Sequence, residues 1–457
     1  MRGIAVAWWS PRVSGFGPVT ASAGPAAIHS FSKGCFRMSP LRPESASSKL
    51  PFVVLLLALG TFLMSTTEFI IAGILPDMAS DLGVSVSQAG LLITAFAIGM
   101  IVGGPTISLA TLRLPRRSTL VLALGTFAAG HMIAALSSSF TVVLAARVLT
   151  ALATGAFLSV ASVVATSAAG PAAASRAMGV MMSGMGLAIV AGVPLGSFVG
   201  QSIGWRGTFW ALTVLAAIVA VVIVRFIPVE EHREAPSVRS QLGVLRHGRM
   251  WLVLAATALV SGGFLAAYSY ISPLLTERTG LSEGVVPLVL VGFGIGALLG
   301  TNLGGRFGDR RPLTTFLTIA AGSGLVMLLL IPLSTSVPAT VVLVVLLGLT
   351  GMAVTSIATP LAVRFGRSAP GLAAALTVSG FNVGIAVGTW LAGSALDSPL
   401  GVRGPEAVGL IMAALGMIPL LILAALRATR TNTAEAGVPD ALAEELSQDE
   451  ADDRVLV

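Results

Sequence analysis

The chain has 457 residues, of which 55% are hydrophobic and only 10% charged, with a mean hydropathy of +0.93, whereas a soluble domain carries about 25% charged residues. This composition excludes an ordinary soluble domain and points to an integral membrane protein embedded in a lipid bilayer. The net charge of +7 does not indicate a nucleic-acid partner, because the cationic residues fall in short clusters between apolar runs, a pattern that sets membrane topology. A single cysteine, Cys35, excludes an intrachain disulfide and a Cys-based metal site, and His29, His131, His232 and His247 show no metal-ligand spacing. No cofactor or metal is expected.

Residues 1–49 are rich in Ser, Pro, Gly and Ala and lack the apolar run of a signal peptide. They read as a disordered extension, and Met38, which opens a short polar lead before the first apolar run, is a candidate natural start. From Pro51 onward about twelve apolar runs reach spanning length, at 51–75, 87–110, 118–136, 140–168, 176–202, 207–227, 250–275, 284–304, 313–333, 338–363, 371–395 and 405–427. The expected class is therefore an all-α membrane protein with twelve transmembrane helices.

Arginines sort by alternation. Arg113, Arg116 and Arg117 follow run two, Arg176 follows four, Arg225 to Arg249 follow six, Arg306, Arg310 and Arg311 follow eight, and Arg364 and Arg367 follow ten. The opposite connections hold only Arg206, Arg278 and Arg403, so the positive-inside bias places both termini in the cytoplasm of a cell-membrane protein. The chain divides on this reading into a six-helix bundle at 50–227, a cytoplasmic linker at 228–249, a second bundle at 250–428 and an acidic disordered tail at 429–457.

The first run holds one carboxylate, Glu68, eight residues before Pro76. At ~1.5 Å per residue that is ~12 Å inside a helix ending at the proline. A charge at such depth costs roughly 2.5–3.5 kcal/mol on insertion scales and is a functional group by default; the alternative is a structural Glu bonded to Thr66, Thr67 or a neighbouring helix. Asp77 and Asp81 are expected in the outer loop. Run four holds Arg147, which needs either a carboxylate, for which Glu68 is the nearest candidate by type, or backbone carbonyls; it could also snorkel from the helix end. His131 in run three could carry protons, but a lone His in a span more often plays a structural role, and it ranks below Glu68.

The two halves repeat. Phe96, Ile98, Gly99 and Gly103 match Phe293, Ile295, Gly296 and Gly300 at an offset of 197, while Ser183, Gly184 and Gly192 match Ser379, Gly380 and Gly388 at 196. A parallel repeat of six helices implies two pseudo-symmetric bundles about an axis along the membrane normal, with a substrate site between them and access alternating as they rock. For that site, Phe69, Phe157, Phe264, Tyr268, Tyr270, Phe381, Asn382 and Trp390 are the candidate lining, because aromatics with one or two polar groups suit amphiphilic small molecules.

Further motifs carry a resemblance. Gly305-Arg306-Phe307-Gly308-Asp309-Arg310-Arg311 after run eight, Arg147 to Phe157 in run four, and Gly184 to Gly196 with Gly192-Val193-Pro194 in run five together resemble the major facilitator superfamily and its drug/proton antiporter branch. Thr67-Glu68-Phe69 with Leu75-Pro76-Asp77 is similar to the opening of the branch that includes sugar-efflux-like permeases and bacterial chloramphenicol-resistance exporters. The resemblance implies the major facilitator fold, a monomer, and a gating latch at Gly305, Asp309 and Arg310; the first-half equivalent keeps Arg113 but lacks the Asp. It also implies an antiporter motif at Gly192, Pro194 and Gly196.

The expected function is proton-coupled export of amphiphilic small molecules, of the chloramphenicol kind, with Glu68 and Arg147 coupling the proton. An exporter of a sugar, nucleoside or other metabolite is the alternative, and growth tests separate the two. A membrane-embedded enzyme is disfavoured because His131 and Glu68 form no catalytic cluster. No Gly-x-x-x-x-Gly-Lys-Ser/Thr motif is present to bind a nucleotide.

Overall fold

The computed structural model describes residues 50–110, 114–227, 248–366 and 369–435; the extension at 1–49, most of the 228–249 linker, Arg113 and the tail beyond 435 lie outside these. Among the described residues, twelve helices are long and apolar enough to cross a membrane: Phe52–Phe69, Val86–Gly103, Arg116–Leu136, Phe140–Ala169, Ala174–Ile203, Trp205–Phe226, Gly248–Ser269, Glu283–Arg310, Pro312–Leu333, Val337–Phe365, Pro370–Leu396 and Gly401–Leu426. They are numbered here as spans one to twelve. No strand occurs among the described residues, as expected where every backbone group must be satisfied within its own segment.

Small residues set how the spans pack, and they do so twice. A methyl group added to Gly184 of span five would lie 2.2 Å from the carbonyl oxygen of Ala58 on span one, and at Gly380 of span eleven it would lie 3.4 Å from that of Leu254 on span seven. Gly192 meets Thr66 as Gly388 meets Gly262. Both pairs of contacts repeat at the offset of 196. Likewise Gly99 and Gly103 abut Val148 and Leu152 on span four, and Gly296 and Gly300 abut Val345 and Leu349 on span ten, at the offset of 197. The sequence repeat is thus a repeat of interfaces, with close approach enabled by the missing Cβ.

The hydrophobic cores show how the halves join. One cluster draws on both halves, from Phe69 to Ala79 and Ala89 to Ala97 in the first and from Phe264 to Leu275, Val286 to Ala297 and Phe381 to Ala392 in the second. All of these lie toward the end of the bundle that carries Asp81. Toward the opposite end, which carries Arg310, each half keeps its own core, around Leu57, Phe127 and Phe157 in the first and around Val253, Phe316 and Ile357 in the second. Three hydrogen bonds also cross between halves in the Asp81-end portion: Ser87 Oγ donates to Asp397 Oδ2 at 2.5 Å, Gln201 Nε2 to the Glu283 carbonyl at 2.8 Å, and Tyr268 Oη to the Phe69 carbonyl at 3.3 Å.

Several local expectations need correction. Span one does not stop before Pro76: it breaks at Ile70 and resumes as Ile71–Asp81 with the proline inside. Pro76 lacks the N–H that would bond the Ala72 carbonyl four residues back, a loss that a membrane helix tolerates without ending when neighbouring groups satisfy the freed backbone. Asp77 and Asp81 therefore sit on this helix and not in a loop, and Asp81 accepts hydrogen bonds from Trp205 Nε1, at 3.0 Å, and from Arg206 at the start of span six. The Gly305–Arg310 motif forms the last turns of span eight instead of a loop. The final helix runs on to Glu435, into the segment expected to be disordered, because Arg427 to Glu435 contains no Gly or Pro to stop it.

Span five contains a π-helical turn at Ala188–Gly192, in which the Val193 N–H reaches back to the Ala188 carbonyl. The wide turn lies just before Pro194, whose ring would crowd an α-helical carbonyl. Beyond it, Gly196 and Gly200 fit against Ile70, at the break in span one, and Ile74, one turn past it. On the other flank of span five, Val190 lies against Gly294 of span eight. Span five thus lies between spans one and eight, in contact with both halves.

Candidate functional site

The break at Ile70 opens a gap in the middle of the bundle. A helix that stops and restarts exposes carbonyl groups that the next turn would otherwise bond, and two of those nearest the break find side-chain donors. The Thr67 carbonyl accepts from Arg147 Nη2 at 3.1 Å, and the Phe69 carbonyl accepts from the Tyr268 hydroxyl of the other half. Glu68 stands between them in the chain.

Arg147 is only 1% exposed, which overturns the snorkelling alternative. Its guanidinium also donates to Thr67 Oγ1 at 3.0 Å and to the Leu92 carbonyl at 3.4 Å, and it lies over the Phe96 ring at 4.4 Å. Among the described residues no ion pair joins it to Glu68. The hydrogen-bond partners of the buried cation are therefore Thr67 of the broken span one and the Leu92 carbonyl, with an aromatic face beneath, while the Glu68 carboxylate acts on it electrostatically and not through an ion pair.

His131 completes this network. Its Nδ1 lies 2.8 Å from the Phe127 carbonyl, which can only accept, so Nδ1 carries a hydrogen. In the neutral ring Nε2 then accepts from the Thr67 hydroxyl at 2.7 Å, and the same hydroxyl oxygen accepts from Arg147. Thr67 thus ties spans one, three and four together. His131 is 1% exposed and does not line the central gap, as its structural reading anticipated.

The gap itself is a narrow cavity lined by Glu68, Phe69 and Ala72 of span one, Ile93, Phe96 and Ala97 of span two, Leu265, Tyr268 and Ser269 of span seven and Ile385 of span eleven. It has room for little more than a water molecule. Both halves contribute to its wall. Glu68 is partly exposed to it and is its one ionisable carboxylate. Tyr268 stacks on Phe293, with centroids 4.3 Å apart and ring planes at 28°, and meets Phe69 edge-on at 6.2 Å.

Of the aromatic and amide candidates, the structure brings Phe69 and Tyr268 to this cavity. Phe157 instead lies in the first-half core, where its ring fills the space beside Gly60. Phe264 and Phe381 pack on each other at 6.3 Å within the second half. Tyr270 seals the seam between halves, its ring end against Gly90 and Gly393 and its hydroxyl donating to the Thr389 carbonyl at 3.3 Å. Asn382 Nδ2 donates to the Val378 carbonyl at 3.0 Å, and its buried Oδ1 has no partner among the described residues. Trp390 is 56% exposed on the surface of the bundle, where an aromatic of a membrane helix meets lipid.

Asp309 and Arg310 are exposed at the end of span eight, and Gly305 has open space beside it. The glycines that hold this end against span ten are Gly304, beside Ala353, and Gly308, beside Ile357. Gly192, Pro194 and Gly196 lie one helix away from Glu68, with Gly192 against Thr66. One acidic residue escaped the sequence reading. Glu406, in the first turn of the last helix, is 1% exposed and neither carboxylate oxygen has a hydrogen-bond partner among the described residues; its position beside Arg403 at the edge of an apolar run made it look like a loop charge.

Comparison with known proteins agrees with this architecture. The chain is 36% identical over 396 residues to a chloramphenicol resistance protein of Streptomyces lividans, an alignment covering 85% of this chain and 99% of that protein. It is 33% identical to the inner membrane transport protein YdhP of Escherichia coli strain K12, over 81% and 95% of the two chains, and 29% identical to a probable sugar efflux transporter of Mannheimia succiniciproducens, over 81% and 94%. Among solved structures, a bacterial homologue of the human lysosomal transporter Spinster, in an inward-facing and unoccupied conformation, superposes with a TM-score of 0.63 at 17% identity, over 82% of this chain and 95% of that one. The Major Facilitator Superfamily model matches residues 57–364, and with twelve spans arranged as two repeated bundles this chain belongs to that superfamily of transporters.

Proposed function

We propose that the protein is a secondary exporter that exchanges protons for amphiphilic small molecules, of which chloramphenicol is the first to test. The observation that carries this reading is Glu68, a carboxylate at a helix break in a cavity walled by both halves. Arginines concentrate at the Arg310 end, so the positive-inside rule makes that end cytoplasmic, with both termini, and the Asp81 end external. On this orientation the shared core closes the outer side. Rocking about it admits drug from the cytoplasm to ionised Glu68; a proton from outside later neutralises the carboxylate, so that drug and proton compete for one group. The narrowness of the cavity fits a site that must widen as the halves part.

The relative that confers chloramphenicol resistance supports this substrate class. The apolar lining supports it as well, since beside Glu68 it offers only the hydroxyls of Tyr268 and Ser269, fewer directional groups than a sugar needs. The similarity to a probable sugar efflux transporter keeps metabolite export as the second reading, which growth of an exporter-deficient host on chloramphenicol, sugars and nucleosides separates from the first. The decisive experiment is Glu68→Gln in proteoliposomes. Drug-driven proton release is expected to vanish while the protein still folds; release equal to wild type overturns the assignment.

A further inference from the structure

An exchanger needs a device that stops the empty carrier from switching, because a carrier that turns over both protonated and empty leaks protons. The geometry points to Tyr268 as that device: a lock across the two halves that holds the empty, ionised carrier closed. This inference rests on the reading of Glu68 as the proton carrier.

An ionised carboxylate in a narrow apolar cavity requires a hydrogen-bond donor. Of the charged or titratable groups near Glu68, Arg147 of span four belongs to the same half and spends three of its five N–H groups on the Thr67 carbonyl, Thr67 Oγ1 and the Leu92 carbonyl. His131 of span three is bonded at both ring nitrogens. Among the described residues, spans two, five, six, eight and eleven present no ionisable side chain at this depth. Two hydroxyls line the cavity, and that of Ser269 lies 3.3 Å from Thr389 Oγ1.

The Tyr268 hydroxyl is the donor that already reaches across from the other half to span one. Its bond, to the carbonyl of the residue next to Glu68, is long at 3.3 Å, beyond the usual range for O–H donors, and so is weakly held. When Glu68 loses its proton, the phenol turns from the Phe69 carbonyl to the carboxylate. A neutral link between the halves becomes a charge-assisted one, roughly twice as strong. Either a proton on Glu68 or a drug at the carboxylate displaces the phenol and frees the halves to rock. Stacking on Phe293 keeps the ring in place through the change.

Tyr268→Phe removes the hydroxyl and retains the ring. In drug-free proteoliposomes with an imposed pH gradient, this variant is expected to leak protons several-fold faster than wild type. The double variant Glu68→Gln with Tyr268→Phe is expected to return to the wild-type rate, since the leak must pass through Glu68. A Tyr268→Phe leak no faster than wild type overturns the inference, and so does a leak that persists in the double variant, which reports a disturbed fold. If the wild type releases no protons with any drug, the reading of coupled export fails, while the drug-free comparison of single and double variants still decides the role of Tyr268.

Discussion

The two halves share a skeleton and differ in chemistry. Gly192 on Thr66 is repeated by Gly388 on Gly262, and Gly99 on Val148 by Gly296 on Val345, yet at the same offsets Glu68 becomes Phe264 and Arg147 becomes Val344. Phe264 turns into its own half, against Gly351 and Phe381, and Val344 is fully buried. Duplicated packing has therefore been kept while the ionisable pair exists once. Both first spans break, at Ile70 and at Tyr270, but one half carries the charges, while the other supplies a wall and the hydroxyls of Tyr268 and Ser269. The lesson is that interface geometry and chemistry are set by different residues and can diverge independently.

The strongest way to break the comparison is at Arg147. Arg147→Ala removes three hydrogen bonds and leaves the Thr67 and Leu92 carbonyls without that donor, so the expected loss is about 3–5 kcal/mol, whereas Val344→Ala in the repeat costs about 1–3 kcal/mol. Thermal unfolding of the purified protein in detergent measures both, and equal losses would contradict the asymmetry. The glycine contacts give a smaller effect. A methyl group at Gly296 would lie 2.0 Å from the Val345 carbonyl oxygen, a backbone atom, while at Gly99 the nearest atom is the Ala151 Cβ at 2.6 Å. Gly296→Ala is expected to cost about 2–3 kcal/mol and Gly99→Ala about 1–2 kcal/mol, and Gly125→Ala, which meets nothing within 4 Å, should be neutral or slightly stabilising. The smallest effect is expected at Glu406. Glu406→Gln replaces a buried carboxylate that lacks donors with a neutral isostere, and should raise stability by about 1 kcal/mol with export unchanged; a loss of export would assign this residue to transport.

Much of the fold was legible because insertion in a bilayer demands long apolar runs, and because close helix approach selects glycine at fixed offsets. The location of Glu68 was legible for the same reason, a carboxylate being conspicuous among leucines. The partner of Arg147 was legible only as one of two alternatives, a carboxylate or backbone carbonyls, since no side-chain type announces which carbonyl a helix break frees. Pro76 suggested an end where the helix continues to Asp81. Phe157 and Trp390 were misplaced because lipid and core are both apolar: in a span that is hydrophobic all round, periodicity does not say which face turns inward. Glu406 was overlooked because it stands at a helix edge beside an arginine.

The union of the two bundles at one end, with independent cores at the other, makes the molecule a seesaw of oil. On the proposed rocking, facing the other way means dissolving the seam around Phe69, Tyr270 and Leu290 and building a comparable one among side chains now left bare, such as Leu298 beside Gly186. What is exposed at one tip must be hidden at the other. Cycling is easy only while those two seams are closely matched, so a substitution that greases either tip would stall the carrier by making one posture too comfortable, even with every group around Glu68 intact.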